Sequence, residues 1–188
     1  MPGRGEDKQD CLSRRAQHHF PDALIVHRLD MATSGLLLMA RNPAAQRALG
    51  AQFEARTVDK RYVAVVDGCL PGTTDTWQLT DLPIAVDWPR RPLRIIDPLG
   101  KPSQTRWQVL SVDALAQTTR VALAPVTGRS HQLRVHLQAM GHPILGDMLY
   151  APEAVQRKAD RLLLHAQALA LDHPATKKRL AFSSEPPF

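Results

Sequence analysis

Apolar residues occur along this chain mainly in short runs of strand length, separated by turn-forming residues. Residues 23–29, ALIVHRL, form a continuous apolar run with β-branched members, and residues 36–41, LLLMAR, form a second one. The segment between them, MATSG, contains the small and polar residues that turns favour. The pattern therefore predicts two buried strands joined by a turn.

Further apolar runs predict more strands in the second two thirds of the chain. These strands are predicted over residues 60–68, 103–112, 118–126, 161–174 and 178–184. The first of them ends in Asp67-Gly68, a turn signal. The second and third are separated by a short polar segment, so we expect them to be antiparallel neighbours.

Two segments have apolar residues at helical spacing. In the first, Asn42 and Pro43 are residue types favoured at the N-cap and the first helical position, and an apolar stripe follows. In the second, residues 127–143, Ser130 is predicted as the N-cap and Gly141 as the end of the helix. The two stripes consist of Ala45, Leu49 and Phe53 and of Leu133, Leu137 and Met140.

The remaining segments complete the predicted architecture. Short helices are predicted over residues 11–20 and 153–160, a loop over residues 1–9, and an irregular arm or hairpin insert over the Pro-, Gly- and Thr-rich residues 70–100. Strands outnumber helices and are joined by short turns, which indicates an α+β fold: a mainly antiparallel or mixed sheet with helices packed on it. We expect residues 1–188 to form a single domain.

The charge of the chain narrows the choice of partners. With 24 Lys and Arg against 18 Asp and Glu, the net charge is +6, which favours a polyanion such as a nucleic acid. The two cysteines, Cys11 and Cys69, have no metal-ligand spacing and are typical of free thiols in a reducing compartment. No apolar run approaches membrane-spanning length and no signal-peptide core is present, so we expect a cytoplasmic protein. We also expect it to be a monomer.

Asp30 needs an explanation, because an acidic side chain here follows a strand that is predicted to be buried. A carboxylate shielded from solvent stays ionised when a cation lies beside it, and Arg28 and Arg129 are candidates. The alternative is that Asp30 starts a turn by accepting hydrogen bonds from the amides of Thr33 or Ser34. On this residue alone, the turn is favoured over catalysis.

Other polar residues offer fewer kinds of chemistry. Tyr62, at the start of a strand, could stack on a base and exchange a proton, although a tyrosine in a strand is more often a core residue. His131 and His136 are five residues apart and have no third ligand at a suitable spacing, so no metal site is predicted. Ser130 lacks the Gly-x-Ser-x-Gly pattern of a hydrolase nucleophile, and no Gly-rich phosphate loop is present. The sequence therefore predicts no cofactor.

Two longer motifs together resemble a known family. HRLDMATSG at residues 27–35 and VTGRSHQLRVHLQAMGHPILGDMLY at residues 126–150 are similar to the signatures of the RluA family of pseudouridine synthases. They stand in the family's order, with KRYVAVV between them and RLLLHAQALAL after them. The resemblance extends over nearly the whole chain. The arm sequence DLPIAVDWPRRP further resembles the family member that modifies both 23S ribosomal RNA and tRNA.

The resemblance implies a fold, a reaction and a set of site residues. The fold would be the pseudouridine-synthase core, a long mixed sheet with flanking helices and a central cleft, and the reaction the isomerisation of uridine to pseudouridine in RNA stem-loops. Asp30 would be the nucleophile, Tyr62 would contact the target base, and Arg129 would be the ion partner of Asp30. Arg28 would fill the gap left by the displaced uridine. No cofactor or metal would be needed.

Further residues are expected to bind the RNA. Burial of the detached uracil against apolar side chains would keep water from the sugar. Arg90, Arg91 and Arg94 on the arm could hold phosphates, and a solvated loop is an equally favoured alternative for them. The substrate-binding candidates are Arg28, His27, Leu133, Leu164, Arg90, Arg91 and Arg94.

Three expectations remain open at this level. Family members usually carry a strand-like NKPxGLxV segment before the PGR found here at residues 2–4, so we expect that strand, and a separate S4-like domain, to be missing. An inactive RNA-binding module on the same fold is an alternative to an enzyme. A sugar hydrolase is a second alternative, which would need another carboxylate opposite Asp30, with Asp147 as the best candidate.

Overall fold

A computed structural model describes residues 10–188 and has eleven strands and four helices in this range. The strands are β1 (Leu24–Ile25), β2 (Ser34–Gly35), β3 (Met39–Ala40), β4 (Asp59–Asp67), β5 (Gln78–Asp81), β6 (Ile84–Val86), β7 (Arg94–Ile96), β8 (Gln104–Asp113), β9 (Thr118–Pro125), β10 (Leu164–Asp172) and β11 (Arg179–Ser183). The helices are α1 (Leu12–His19), α2 (Pro43–Glu54), α3 (Gln132–Ala139) and α4 (Glu153–Gln156). The loop predicted over residues 1–9 lies outside the described range.

A seven-stranded sheet forms the centre of the molecule. Its strand order is β11-β10-β4-β9-β8-β5, and β2 pairs with β10 beside this path. Every pair is antiparallel except the β2–β10 pair, which is parallel. The predicted mixed, mainly antiparallel sheet is therefore confirmed, including the neighbouring positions of β8 and β9.

The segment around Asp30 is less regular than the two strands predicted for it. Only Leu24–Ile25 and Met39–Ala40 pair, as a separate two-stranded ribbon. The chain between them leaves this ribbon so that Gly35 can approach β10, where an added Cβ would lie 2.3 Å from the carbonyl oxygen of Ala166. Gly35 also has a φ of +106°, which side chains rarely tolerate. Residues 26–33 are consequently free to line a cavity instead of forming a strand.

Helix α2 is the predicted one. The side-chain oxygen of Asn42 accepts a hydrogen bond from the amide of Ala45 at 2.8 Å, and Pro43 occupies the first helical position. Leu49 is buried in a cluster with the β1–β3 ribbon and the far end of β10, so that α2 covers one end of the sheet.

Helix α3 begins differently from the prediction. Ser130 is not its N-cap, because the chain enters the helix through His131, whose φ of +58° is in the left-handed region. The side chain of Gln132 instead fixes the loop before α3, since its oxygen accepts hydrogen bonds from the Arg129 amide and the Thr127 hydroxyl. The hydroxyl of Ser130 is thereby left free to accept a different partner.

The main core lies between α3 and the sheet. Buried apolar side chains of β4, β8, β9, β10 and the segments next to β4 and β10 meet those of α3 and of the loop after it. They are Ala64, Val66, Leu70, Trp107, Val109, Val121, Leu123, Leu133, Leu137, Ile144, Leu162 and Leu164. Burial of this apolar surface is the main stabilising contribution, about 25 cal/mol per Å². The core also fixes where α3 presents its first turn, next to the segment that contains Asp30.

The predicted arm is a hairpin. Strands β6 and β7 pair antiparallel, with Val86 opposite Arg94, and form a two-stranded sheet of their own. No helix within residues 10–188 is long and apolar enough to cross a lipid bilayer.

Candidate active site

A cavity of about 300 Å³ opens between the Asp30 segment, the central sheet and the start of α3. Its walls come from three parts of the chain that are distant in sequence: the segment after β1, strand β4, and the turn from β9 into α3. The lining residues are His27, Arg28, Leu29, Asp30, Thr33, Phe53, Lys60, Tyr62, Pro125, Thr127, Gly128, Arg129, His131, Gln132, Leu133 and Leu164. The tertiary fold therefore brings the two signature motifs to one place.

Asp30 faces this cavity with a carboxylate that is 24% exposed. The turn after it is made by the backbone, since the Asp30 carbonyl accepts the amide of Thr33 at 3.0 Å. Within residues 10–188 the carboxylate makes no hydrogen bond. The guanidinium of Arg134 lies 3.6 Å from it, and the His131 ring, which carries a charge only when protonated, lies 3.9 Å from it. The carboxylate is thus charge-paired and still available to a substrate.

The guanidinium of Arg134, beside Asp30, is bound on its other side by a second acid, Asp147. Arg134 is 5% exposed and donates two hydrogen bonds, of 2.8 and 2.5 Å, to the fully buried Asp147. Asp147 also accepts the amides of Leu149 and Tyr150 at 3.0 and 3.1 Å. A bidentate pair of this kind fixes the orientation of the guanidinium. The free side of Arg134 is therefore presented to Asp30.

The ion partner expected from the sequence was Arg129, and the structure places that residue elsewhere. Its guanidinium donates to the carbonyl of Pro102 at 3.4 Å, while its backbone amide binds Gln132. The reason is that α3 starts only at Gln132, so Arg129 lies in the loop at the mouth of the cavity. Arg134, in the first turn of the helix, lies beside Asp30. The sequence contained an indication of this role for Arg134, because the arginine lies between the apolar residues Leu133 and Val135 on a predicted helix.

His131 and Tyr150 were also missed by sequence reasoning. The left-handed backbone of His131 turns its ring toward the cavity, with Nε2 3.9 Å from Asp30 and Nδ1 2.6 Å from the hydroxyl of Tyr150. Burial lowers the pKa of His131, and the negative charge of Asp30 opposes this shift. The Tyr150 oxygen in turn accepts the amide of Arg94 at 3.0 Å. This chain of contacts connects the arm to the cavity.

Tyr62 lines the cavity from strand β4. Burial, followed by the negative charge of Asp30, raises the pKa of its hydroxyl to about 12. Tyr62 also packs against the main core, so the ordinary core role considered for it accounts for part of its position. Near neutral pH its hydroxyl is protonated, and its ring is available at the cavity wall.

The other predicted substrate-binding residues in the first motif also line the cavity. Arg28 donates a hydrogen bond to the hydroxyl of Ser130 at 2.7 Å, which links the two signature motifs directly. His27 accepts the amide of Leu38 at 2.9 Å and stacks on Phe53 with a centroid distance of 4.6 Å. Burial, then the positive charge of Lys60, lowers the pKa of His27 to about 4, so its ring is neutral.

Leu133 and Leu164, also predicted, are buried at 7% and 3% exposure and form an apolar part of the cavity wall. The arm arginines Arg90, Arg91 and Arg94 are not among the residues that line it. Arg90 binds the buried Asp87 at 2.7 Å, and Arg91 lies 4.8 Å from the ring centre of the exposed Trp88.

Two other chemistries find little support in this geometry. The carboxylate suggested for a sugar hydrolase, Asp147, is fully buried and bonded to Arg134, so it does not face Asp30 across an open site. Across residues 10–188, no three His, Cys, Asp or Glu side chains are placed to hold a metal ion.

Comparison with known proteins identifies the family. The sequence profile of the RNA pseudouridylate synthase family matches residues 2–139. The chain belongs to this family. It is therefore an RNA pseudouridine synthase, an isomerase, and the resemblance inferred from its motifs is confirmed.

Individual relatives agree with this assignment. The chain is 47% identical over 189 aligned residues to the dual-specificity RNA pseudouridine synthase RluA of Escherichia coli, covering 100% of this chain and 84% of that protein. The RluA of Yersinia pestis is also 47% identical, with 90% of its length covered.

Solved structures of the same kind confirm the fold. Human RNA pseudouridylate synthase domain containing 1 matches with a TM-score of 0.81 and 31% identity, covering 94% of this chain and 74% of that one. Domain containing 4 matches with a TM-score of 0.71 and 26% identity, covering 100% of this chain and 82% of that one.

Proposed function

We propose that this enzyme converts uridine to pseudouridine in stem-loops of both 23S ribosomal RNA and tRNA, the latter in the anticodon arm. The proposal is supported by the full-length similarity to synthases named for dual specificity and by the net positive charge. The enzyme would work in the cytoplasm as a monomer. It would need no cofactor, because the reaction is an isomerisation without a redox change.

The single observation that carries the proposed mechanism is the position of Asp30. Its carboxylate lies at a cavity of nucleotide size, partly exposed and 3.6 Å from a guanidinium. A stack of paired bases does not reach such a cavity, so the target nucleotide must be flipped out, which costs a few kcal/mol and least in a loop. Asp30 would then act on the ribose, either as a nucleophile at C1′ or as a base at C2′.

Arg134 would keep Asp30 ionised and oriented, with Asp147 fixing Arg134. Arg129, which lies at the mouth of the same cavity, would contact the RNA instead of serving as the ion partner. Arg28 would occupy the space that the flipped uridine leaves, since its neighbour Ser130 anchors it at the cavity edge. Tyr62 would contact the flipped base and would do so as a neutral phenol.

The apolar wall would protect the intermediate. After the glycosidic bond breaks, water could capture the sugar, so the detached base has to be kept in a site from which solvent is excluded. Leu133 and Leu164 are buried at the cavity wall and offer such a surface. They would retain the uracil while it turns to present C5 to the sugar.

The decisive experiment is tritium release from C5-labelled uridine in two RNAs, a 23S stem-loop and a tRNA anticodon stem-loop. Both should release tritium with the wild-type enzyme. Asp30→Ala should release none while binding both RNAs within about threefold of wild type, because affinity rests on contacts elsewhere. Release by that variant would remove Asp30 from the mechanism, and release from only one RNA would limit the proposal to that class.

A further inference from the structure

Lys60 is a cavity residue that the mechanism above does not use. It lies on β4 two residues before Tyr62, and side chains at this spacing point to the same face of a strand, about 7 Å apart. The exposure pattern agrees, since Lys60 and Tyr62 are partly buried and line the cavity while Arg61 between them is exposed and stacks on Trp77. The Lys60 side chain is thus directed into the active site.

Lys60 differs from the other strong cations of the cavity wall in having no partner there. Arg28 donates to Ser130 and Arg129 donates to the carbonyl of Pro102. In the part of the chain that the structure describes, Lys60 makes no hydrogen bond from its ammonium group and has no carboxylate within 4 Å. No buried side-chain nitrogen within residues 10–188 lacks a partner, so the Lys60 ammonium keeps contact with solvent in the free enzyme. A nucleotide that fills the cavity would displace this water, and an anionic group on it would then compensate the ammonium.

The groups around Lys60 give it no compensation. His27 faces it and is neutral, and the positive charge of Arg56 acts on it from the end of α2. Tyr62, on the same face, is a neutral phenol, and the carboxylate of Asp30 in the same cavity is paired with Arg134. Burial, with the charge of Arg56 second, lowers the pKa of Lys60. The ammonium group of Lys60 is therefore available to interact with negative charge on a bound substrate.

The reaction generates such a charge. When the C1′–N1 bond breaks, its electron pair stays on N1 and the uracil becomes an anion with charge on N1 and its carbonyl oxygens, while Asp30 either bonds to C1′ or has removed the C2′ proton. C5 then attacks C1′, Asp30 is released or returns the C2′ proton, the C5 proton leaves, and N1 takes up a proton. Atoms and electrons balance without another reactant. Between these steps the uracil anion lies against apolar side chains.

We propose that Lys60 is a further catalytic residue of this enzyme, whose ammonium group stabilises the uracil anion while the base is detached. The proposal rests on the pseudouridine synthase function given above and adds the group that holds the leaving base. A fixed cation in a site with little water stabilises charge that develops in the reaction more than it stabilises the neutral substrate. Lys60 should consequently act on the rate of the chemical step and not on RNA affinity.

Single-turnover rates and stem-loop affinities of Lys60→Met test this. The rate should fall by about a hundredfold, as when one stabilising donor is removed from an active site, and the dissociation constant should stay within about twofold. Lys60→Arg should retain most of the rate, because it keeps the charge. Arg61→Met is the matched control, since it removes the neighbouring cation on the opposite face, and it should leave the rate unchanged.

The leaving group distinguishes anion stabilisation from a structural role. Fluorine withdraws electrons, so 5-fluorouracil is a more stable anion than uracil. The reaction of a stem-loop that contains 5-fluorouridine can be monitored by the loss of 5-fluorouridine from nuclease digests. With this RNA, the rate of Lys60→Met should be less than about tenfold below the wild-type rate. The wild-type rate should also begin to decline at a lower pH than the rate of Lys60→Arg, because a lysine with a lowered pKa loses its proton before an arginine does.

Each contrary result has a definite meaning. A wild-type rate in Lys60→Met overturns the proposal. An equal loss of rate on the uridine and 5-fluorouridine stem-loops also overturns it, because it would indicate a purely structural role. Weaker binding with a smaller salt dependence and an unchanged rate would make Lys60 a phosphate contact. None of these outcomes affects the pseudouridine synthase function, which fails only if the wild-type enzyme releases no tritium from either the 23S stem-loop or the tRNA stem-loop.

Discussion

Asp147 orients Arg134 through two hydrogen bonds of 2.8 and 2.5 Å, and this buried pair leaves one side of the guanidinium facing Asp30 at 3.6 Å. Both members of the pair are almost inaccessible to solvent, at 0% and 5% exposure. One cation therefore serves two acids, one structural and one at the cavity. Removal of any member changes the electrostatic environment of the other two.

Arg134→Met should lower both stability and activity. The substitution leaves Asp147 buried without its counterion, which costs about 3–5 kcal/mol in the free energy of unfolding. Urea denaturation and tritium release from a tRNA stem-loop measure the two effects. Arg129→Met is the control, because within residues 10–188 its guanidinium makes only one weak hydrogen bond, and the substitution should change stability by no more than about 0.5 kcal/mol. If Arg129→Met had the larger effect on stability, the assignment of the ion partner would be wrong.

Asp147→Asn should reduce the reaction rate without weakening RNA binding. The amide keeps the shape of the side chain, but the second carboxylate no longer holds Arg134, and the ion pair with Asp30 loses its fixed geometry. We expect a loss of about 3 kcal/mol in stability and a clear fall in single-turnover rate. Asp172→Asn, which breaks an exposed ion pair with Arg179, should cost less than about 1 kcal/mol. Equal effects from both variants would contradict the positioning role.

Arg90 and Arg91, both on the arm, should differ in their contribution to RNA affinity. Arg91 is exposed and lies over Trp88, whereas Arg90 is already paired with Asp87. A free arginine that contacts a phosphate contributes about one unit to the slope of log affinity against log salt concentration. Arg91→Ala should therefore weaken binding and reduce this slope, while Arg90→Ala should leave the slope unchanged. Identical slopes in wild type and Arg91→Ala would favour the solvated-loop alternative.

His27 should make stability depend on pH in the acidic range. Burial, then the positive charge of Lys60, lowers the pKa of His27 from 6.5 to about 4 in the folded protein. The unfolded chain takes up the proton near pH 6.5, so the contribution of the neutral ring is fully present above that pH and is lost as the pH falls to 4. The loss should be at most about 3 kcal/mol.

Urea denaturation at several pH values between 4 and 7.5 measures the slope of the free energy of unfolding against pH. His27→Gln, which keeps an acceptor for the Leu38 amide, should flatten it, and His18→Gln, which changes an exposed ring on α1, should not. A slope that persists in His27→Gln would assign the pH dependence to another group.

Local sequence patterns determined most of the fold and supplied the candidates for the site. The alternation of β4, the Asn42-Pro43 start of α2 and the turn at Asp67-Gly68 are properties of neighbouring residues, so the sequence alone predicts them. Asp30 was predicted from a motif that resembles a family signature and Tyr62 from the segment between the two signatures, and both residues line the cavity. The start of α3 was predicted wrongly, since Ser130 has the chemistry of an N-cap but the Gln132 side chain and the left-handed His131 take over that region.

Only the tertiary structure decided which cation meets which acid. Arg129 and Arg134 lie in the same motif, and their distance along the chain does not show that one faces Pro102 and the other Asp147 and Asp30. The same holds for Lys60, whose role we propose from its place in the cavity wall and from the lack of a partner for it within residues 10–188. An ion pair depends on distance and burial, and both are set by segments that are remote in sequence, whereas a strand or a helix cap is set by a few consecutive residues.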